Sequence, residues 1–286
     1  MKYSFMIEPG HTVKLKDYDP DFNAGLKKEE VAAKLEKLGE ELSELQYLMY
    51  AAADTSLLIV LQGRDTSGKD GTIRHLTSHM NAQSCRVASF KQPTSEELGH
   101  DFLWRIHKET PIKGSITIFN RSHYEDVLVV KVHKLAPEKI IERRYDNINN
   151  FEESLIDAGT CIIKFNLHIS KDEQKARLLD REKESVKSWK LSVADWKERE
   201  LWDQYTEAYE KALEKCSTKN ALWYVIPANH KWFRDLAITE VVVERLRPYR
   251  DRWQEDLKKR GVIALKELQT YRDSLKAGGK STSEEA

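Results

Sequence analysis

Hydrophobic positions in the first part of the chain follow a helical period. Apolar side chains recur at steps of three and four residues, which is the spacing of one stripe on a helix. These positions are Leu35, Leu38, Leu42, Leu45 and Met49. The pattern predicts a long helix over about 27–53, after an extended, polar arm at 1–26. The stripe faces either the protein's own core or another subunit.

From residue 56 the pattern changes to short apolar runs that alternate with helical segments. The runs are rich in β-branched or aromatic residues and fall at 57–61, 86–90, 115–119, 161–167 and 222–226. Helical patterns fall at 70–80, 95–109, 137–158, 171–184, 193–215 and 231–258. Such alternation builds a parallel sheet with helices on both faces. The sequence therefore predicts an α/β fold, an α/β/α sandwich around a five-stranded parallel sheet.

Three parts follow from these patterns. Residues 1–54 form the arm and the long helix, and residues 55–262 form the core, with a helical lid inserted at about 170–200. Residues 263–286 form a C-terminal helix and a small, polar tail that we expect to be disordered.

Composition limits the possible partners. The 286 residues carry 47 Lys plus Arg and 47 Asp plus Glu, so an anion-binding site must be a local cluster of charge. Nonspecific nucleic-acid binding is disfavoured for the same reason.

Three scattered cysteines predict reduced thiols rather than a disulfide framework. No apolar run approaches the ~20 residues that span a bilayer, and the N-terminal residues lack a signal-like apolar segment. We expect a cytoplasmic protein that binds neither nucleic acid nor membrane.

The first predicted strand leads into the sequence GRDTSGKDG at 63–71. This is the pattern G-x-x-x-x-G-K between a buried strand and a helix, the context of a phosphate-binding loop. Gly63 and Gly68 allow backbone conformations closed to other residues, and Lys69 is placed to reach the phosphoryl group that is transferred. The other predicted phosphate-binding residues of the loop are Arg64, Thr66, Ser67, Asp70 and Gly71.

Two carboxylates stand inside this loop. Asp65 would repel a bare phosphate, and Asp70 replaces the Ser or Thr whose hydroxyl usually holds magnesium. Both make sense if a cation lies between them and the phosphates. For Asp70, a favourable position at a helix N-terminus is an equally good explanation.

A second cluster, FNRSHYEDV at 119–127, follows the third predicted strand. Because the carboxyl ends of neighbouring strands open onto one crevice, Arg121 is predicted to clamp a phosphate. Glu125 or Asp126 is the candidate for magnesium. Asn120, Arg121 and Glu125 are predicted to bind the phosphoryl acceptor, and His123 is more plausible as a structural residue than as an acid or base.

The segment 170–190 carries Arg177 and Arg181, four residues apart and therefore on one helix face. In a kinase this segment lies where a mobile lid closes, so both arginines are predicted to bind phosphate. The alternative is an ordinary solvated helix face, since acidic residues intermix with the basic ones.

Together these residues resemble the polyphosphate kinase 2 family. The family's loop reads G-x-D-x-x-G-K, its second motif reads F-D/N-R-S-x-Y, and its lid carries paired arginines. The stretch IPANHKWFRDLAITEVV at 226–242 is also family-like, and the likeness covers roughly 10–260. Thymidylate kinases share the loop aspartate but lack the Trp-rich stretch after the lid.

The resemblance implies a P-loop kinase fold, Mg²⁺ (with Mn²⁺ as the alternative ion), inorganic polyphosphate as donor and a purine nucleotide as acceptor. It also implies a homo-oligomer, dimer or tetramer. Asn120 in place of Asp, together with SHYEDV and Asp70, is similar to the third subgroup, whose members accept both nucleoside mono- and diphosphates. This implies AMP and ADP as acceptors, with GMP and GDP as further candidates. We predict Asp65, Lys69, Arg121 and Asp126 as catalytic residues, with Asp65 and Asp126 as metal ligands. The competing hypotheses are an ATP-dependent nucleotide kinase and a slowly hydrolysing P-loop switch.

Overall fold

A computed structural model describes residues 2–183 and 192–280. Six strands form one sheet in the order β1-β6-β5-β2-β4-β3. Their bounds are β1 Phe5–Ile7, β2 Ser56–Gly63, β3 Cys85–Ser89, β4 Ile116–Asn120, β5 Thr160–His168 and β6 Trp223–Pro227. Strands β2 to β6 are mutually parallel. The predicted parallel α/β architecture is confirmed, with β2 at its centre.

The predicted count of five strands was one too low. Strand β1 lies in the segment predicted to be an extended arm and pairs antiparallel with β6, Phe5 opposite Val225. It is only three residues long and buries Ile7 alone. A strand this short leaves no alternation of apolar and polar positions for a sequence pattern to reveal.

Helices cover both faces of the sheet. Their bounds are α1 Lys28–Ala52, α2 Lys69–Ser78, α3 Ser95–Leu98, α4 Trp104–His107, α5 Val129–Val132, α6 Glu138–Asp157, α7 Lys171–Lys183, α8 Val193–Glu200, α9 Trp202–Cys216, α10 Lys231–Leu246 and α11 Arg250–Lys280. Three predicted helices are each divided in two, giving the pairs α3/α4, α8/α9 and α10/α11.

Helix α11 runs through the predicted boundary at 262/263, so the structure shows one continuous helix there. The middle of the predicted lid, 184–191, lies outside the described residues. The predicted disordered tail begins after residue 276; its first residues, 277–280, lie in α11, and the rest, from 281 onward, lies outside the described residues. Across the described ranges, no helix combines the length and apolar character that a bilayer crossing requires.

The core consists of two apolar layers, one on each face of the sheet. Alternate residues of β2 enter opposite layers: Leu57 and Ile59 face α1 and α10, whereas Leu58 and Val60 face α6 and α9. The stripe on α1 faces the first layer, where Leu42, Leu45 and Met49 are fully buried. The loops at the carboxyl ends of β2, β4, β5 and β6 are therefore anchored in a sheet that is packed on both faces.

A buried polar network supports the loop after β4. The Lys164 ammonium donates to Glu152 and to the hydroxyl of Tyr124, and Tyr124 and His123 contact the other oxygen of Glu152. Burial opposes ionisation of Glu152, but Lys164 and His123 outweigh it and lower its pKa. Burial lowers the pKa of His123, which favours its neutral form, and its contact with Glu152 in the core agrees with a structural role. The network fixes the turn that follows Arg121.

Glu152→Gln tests this support. The change leaves the Lys164 charge buried and without its carboxylate, which should lower the free energy of unfolding by about 3–5 kcal/mol. Glu142→Gln, on the same helix but in an exposed pair with Lys215, should cost less than ~1 kcal/mol. The free energy of unfolding of both variants can be measured by urea unfolding. Equal decreases in the two variants would mean that the buried network does not stabilise the fold.

Candidate phosphate-binding site

The loop between β2 and α2 has the backbone that its glycines predict. Gly68 has a φ of 107° and caps α2, and Thr66 also lies in the left-handed region at 65°. A Cβ at Gly63 would stand 2.7 Å from the Ser67 hydroxyl and 2.9 Å from the Leu167 carbonyl. Close packing against β5 therefore requires glycine at position 63.

Lys69 folds back onto its own loop. Its ammonium donates to the carbonyl oxygens of Gly63 at 2.7 Å and Arg64 at 3.1 Å. Among the described residues its third N–H has no hydrogen-bond partner, so it is available to a ligand. Burial, with a smaller effect of the nearby Arg121 charge, lowers the pKa of Lys69 to about 8.

The two predicted clusters meet at Arg121. Its guanidinium donates to Asp65 at 2.7 Å and to Glu125 at 3.2 Å. Burial opposes the charge on Arg121, but Glu125 and Asp65 outweigh it and raise its pKa. The backbone of Arg121 has a φ of 63°, a conformation strained for a side chain of this size and typical of functional positions. The neighbouring Asn120 donates to Asp70 at 3.2 Å.

Arg177 braces the loop from outside. Its five N–H groups donate to Glu173 and to four backbone carbonyls, those of Thr66, Ser67, Ala228 and Asn229. Arg181 donates to Asp195 at 2.8 Å and so joins α7 to α8. Both arginines line the cleft beside the loop, and their binding of phosphate stays a prediction.

Two predicted residues point elsewhere. The Arg64 guanidinium lies 3.7 Å from the centre of the Trp202 ring and donates to α9, at the Trp202 carbonyl and the Thr206 hydroxyl. Asp126 pairs with Arg144 at 3.1 Å, and burial raises its pKa to about 6. Neither side chain lines the main cleft. Their placement therefore does not support a phosphate-binding role for the Arg64 side chain, nor a role for Asp126 as a metal ligand. Glu125 contacts Arg121 from beneath rather than lining that cleft.

The cleft around the loop has a volume of about 1310 Å³. Eight basic side chains and five aspartates line it, although the whole chain has no net charge. The basic residues are Lys69, Arg74, Lys91, Arg121, Arg177, Arg181, Lys231 and Arg234. Sequence reasoning assigned no role to four of them, which are Arg74, Lys91, Lys231 and Arg234. Lys91 and Lys231 follow the carboxyl ends of β3 and β6, a position that signals a ligand crevice.

Comparison with known proteins finds relatives that match most of the chain. The family model for polyphosphate kinase 2 (PPK2) matches residues 25–254. The AMP/ADP-polyphosphate phosphotransferase of Meiothermus ruber is 46% identical over 244 residues, covering 85% of this chain and 91% of that protein. The ADP-polyphosphate phosphotransferase of Rhodopseudomonas palustris is 45% identical over 219 residues, covering 72% and 76%.

A solved structure shows the same fold. The crystal structure of polyphosphate kinase 2 from Arthrobacter aurescens TC1 superposes with a TM-score of 0.81 at 40% identity, covering 86% of this chain and 92% of that one. The family model, these relatives and this structure each match most of the chain. The matched part includes the loop with Asp65 and the motif that follows β4. The chain belongs to the polyphosphate kinase 2 family.

Proposed function

We propose that this protein transfers the terminal phosphoryl group of inorganic polyphosphate to AMP and ADP. The observation that carries the proposal is the cluster of basic side chains around a phosphate-binding loop in an otherwise neutral chain. The names of the relatives support polyphosphate as donor and adenine nucleotides as acceptors. An ATP-dependent nucleotide kinase is not favoured by these relatives.

The site residues support transfer by positioning and charge. The donor's terminal phosphate lies at the N-terminus of α2, where backbone N–H groups and the helix dipole favour an anion. The acceptor's phosphate lies near Asn120 and Arg121. An acceptor phosphate oxygen attacks the terminal phosphorus, the bridging P–O bond breaks, and a polyphosphate shorter by one unit leaves. The attacking oxygen is already anionic, so no general base is required; Lys69 and Arg121 stabilise the developing charge.

Magnesium fits the carboxylates of the loop. Within residues 2–183 and 192–280, no group of three or more His, Cys, Asp and Glu side chains is arranged to hold a metal. Mg²⁺ is commonly held by one or two carboxylates together with substrate phosphates, and Mn²⁺ takes the same ligand types. Asp65 lines the cleft and fits, with Asp70 as the second candidate. When bound, the ion neutralises phosphate charge.

We also propose a cytoplasmic homo-oligomer, dimer or tetramer. The outer part of α11 supports self-association, because it carries a series of exposed large apolar side chains. These are Val262, Ile263, Leu265, Leu268, Tyr271 and Leu275.

A donor comparison tests the proposal. The purified protein with Mg²⁺ is given long-chain polyphosphate or ATP, with AMP, ADP or GDP as acceptor, and the nucleotides are separated by chromatography. We expect polyphosphate to convert AMP to ADP and ADP to ATP, with Lys69→Ala as the inactive control. Phosphorylation of AMP from ATP but not from polyphosphate would instead establish an ATP-dependent kinase.

Asp65→Asn should lower turnover about a hundredfold or more at saturating Mg²⁺, because it removes a charge that holds both the metal and Arg121. Its melting temperature should stay within a few degrees of the parent. Asp126→Asn is the matched variant and should retain most of the turnover, since Asp126 pairs with Arg144 outside the cleft. The reverse result, a severe loss only in Asp126→Asn, would contradict the role given to Asp65.

Lys69 should give the enzyme a pH dependence. Its pKa lies near 8 in the free protein, so the charged form that binds phosphate is present below this pH and is lost above it. The value of kcat/KM for polyphosphate should therefore fall as pH rises through about 8. In the kcat profile at saturating polyphosphate the fall should lie at higher pH, because bound phosphate stabilises the ammonium. A kcat/KM that is level up to pH 9.5 would contradict this role.

A further inference from the structure

A buried arginine stands at the loop on the side opposite Arg121. Arg234 lies in the first turn of α10, after β6, and its side chain is only 3% exposed. A buried guanidinium is costly unless it is paired. The hydrogen bonds that Arg234 makes within the protein determine which of its N–H groups can bind a ligand.

Asp235, the next residue, holds one edge of this guanidinium. One Asp235 oxygen accepts from Nε of Arg234 at 2.9 Å and from Nη2 at 2.7 Å. Among the described residues, Nη1 has no hydrogen-bond partner. The ion pair therefore fixes the plane of the group and leaves one nitrogen with free donors.

That nitrogen points at the N-terminus of α2. A Cβ added to Gly68 would collide with Nη1 of Arg234, and one added to Gly71 would lie 3.2 Å from Nη2. Gly68, Gly71 and Arg234 all line the large cleft. The helix N-terminus and a nearly buried, unpartnered guanidinium nitrogen thus face the same space, and both favour an anion there.

The two guanidinium groups beside Gly68 each have an acidic partner. Arg177 also lies beside Gly68, its Nη1 being 3.8 Å from the position of such a Cβ. Asp235 neutralises one of these two guanidinium groups, and Glu173 pairs with the other at 2.7 Å. Neither pair neutralises the positive end of α2, whose first turn carries one acidic residue, Asp70. A phosphate group at this point would be bound by the helix N-terminus and by Nη1 of Arg234.

We propose that Arg234 is a phosphate-binding residue of the donor site, with Asp235 as its positioning residue. This inference rests on the proposed function and deepens it. Arg234 comes from the β6 side of the central strand β2 and Arg121 from the β4 side. Because Arg234 lies against Gly68 at the N-terminus of α2, where the donor's terminal phosphate is proposed to bind, we assign Arg234 to the polyphosphate chain and Arg121 to the nucleotide acceptor. Lys231, one turn before Arg234 and lining the same cleft, continues the basic surface along the chain.

The test compares donor and acceptor constants in variants. Arg234→Lys keeps the charge but cannot contact Asp235 and a phosphate together, and Asp235→Asn weakens the pair that orients the guanidinium. Each should raise the KM for polyphosphate about tenfold or more, the effect of one charge-assisted hydrogen bond, while the KM for ADP stays within twofold. Arg247→Gln is the control: Arg247 is exposed and pairs with Glu41 and Glu244 away from the cleft, so neither constant should change.

Equilibrium binding of polyphosphate, measured with the same proteins, separates the two proposals. If the parent uses polyphosphate and both variants keep its KM, or if only the KM for ADP rises, the role of Arg234 is wrong and the proposed function stands. If the parent binds polyphosphate and Arg234→Lys weakens that binding, but no nucleotide is phosphorylated, the proposed function is wrong and the site stands. A parent that does not bind polyphosphate would overturn both.

A lower dependence of polyphosphate binding on salt in Arg234→Lys would mark a lost direct contact. Melting curves identify any variant that fails to fold.

Discussion

The phosphate loop keeps its shape because cationic side chains hold its carbonyl groups. Lys69 binds the carbonyls of Gly63 and Arg64 from inside, and Arg177 binds those of Thr66 and Ser67 from outside. With these carbonyl oxygens bound to cations, the N-terminus of α2 can face the cleft. An anion site made of backbone N–H groups depends on this arrangement, since it is formed before the ligand arrives.

The cations of the cleft are tolerable in the free protein because acidic neighbours pair with them. Arg121 lies between Asp65 and Glu125, Arg234 is held by Asp235, and Arg181 contacts Asp195. Beneath Arg121, the buried Lys164–Glu152 pair fixes the turn at Tyr124. Each of the three arginine pairs orients a guanidinium as well as neutralising it, so less ordering of side chains is required when a polyanion binds.

Sequence patterns revealed the parts of this protein whose physical causes are local. The five parallel strands and the loop glycines belong to this group, as do Asp65 and Arg121, which follow neighbouring strands and meet at 2.7 Å. Tertiary packing decided the rest. Arg64 lies in the loop, but its side chain turns toward the Trp202 ring. Asp126 turns toward Arg144. Arg177 donates four of its five N–H groups to backbone carbonyls. Arg234 belongs to a family-like stretch, yet its proximity to Gly68 depends on how α10 packs against α2.

The most direct test is a crystal structure of this protein with Mg²⁺ and a short, linear inorganic polyphosphate. The arrangement described here predicts a terminal phosphate at the N-terminus of α2, within hydrogen-bond distance of the backbone N–H groups of the loop and of the Lys69 ammonium. Asp65 should lie on the metal, and the rest of the chain should follow the basic lining of the cleft. A polyphosphate bound away from the 63–71 loop, with the loop itself empty, would contradict it.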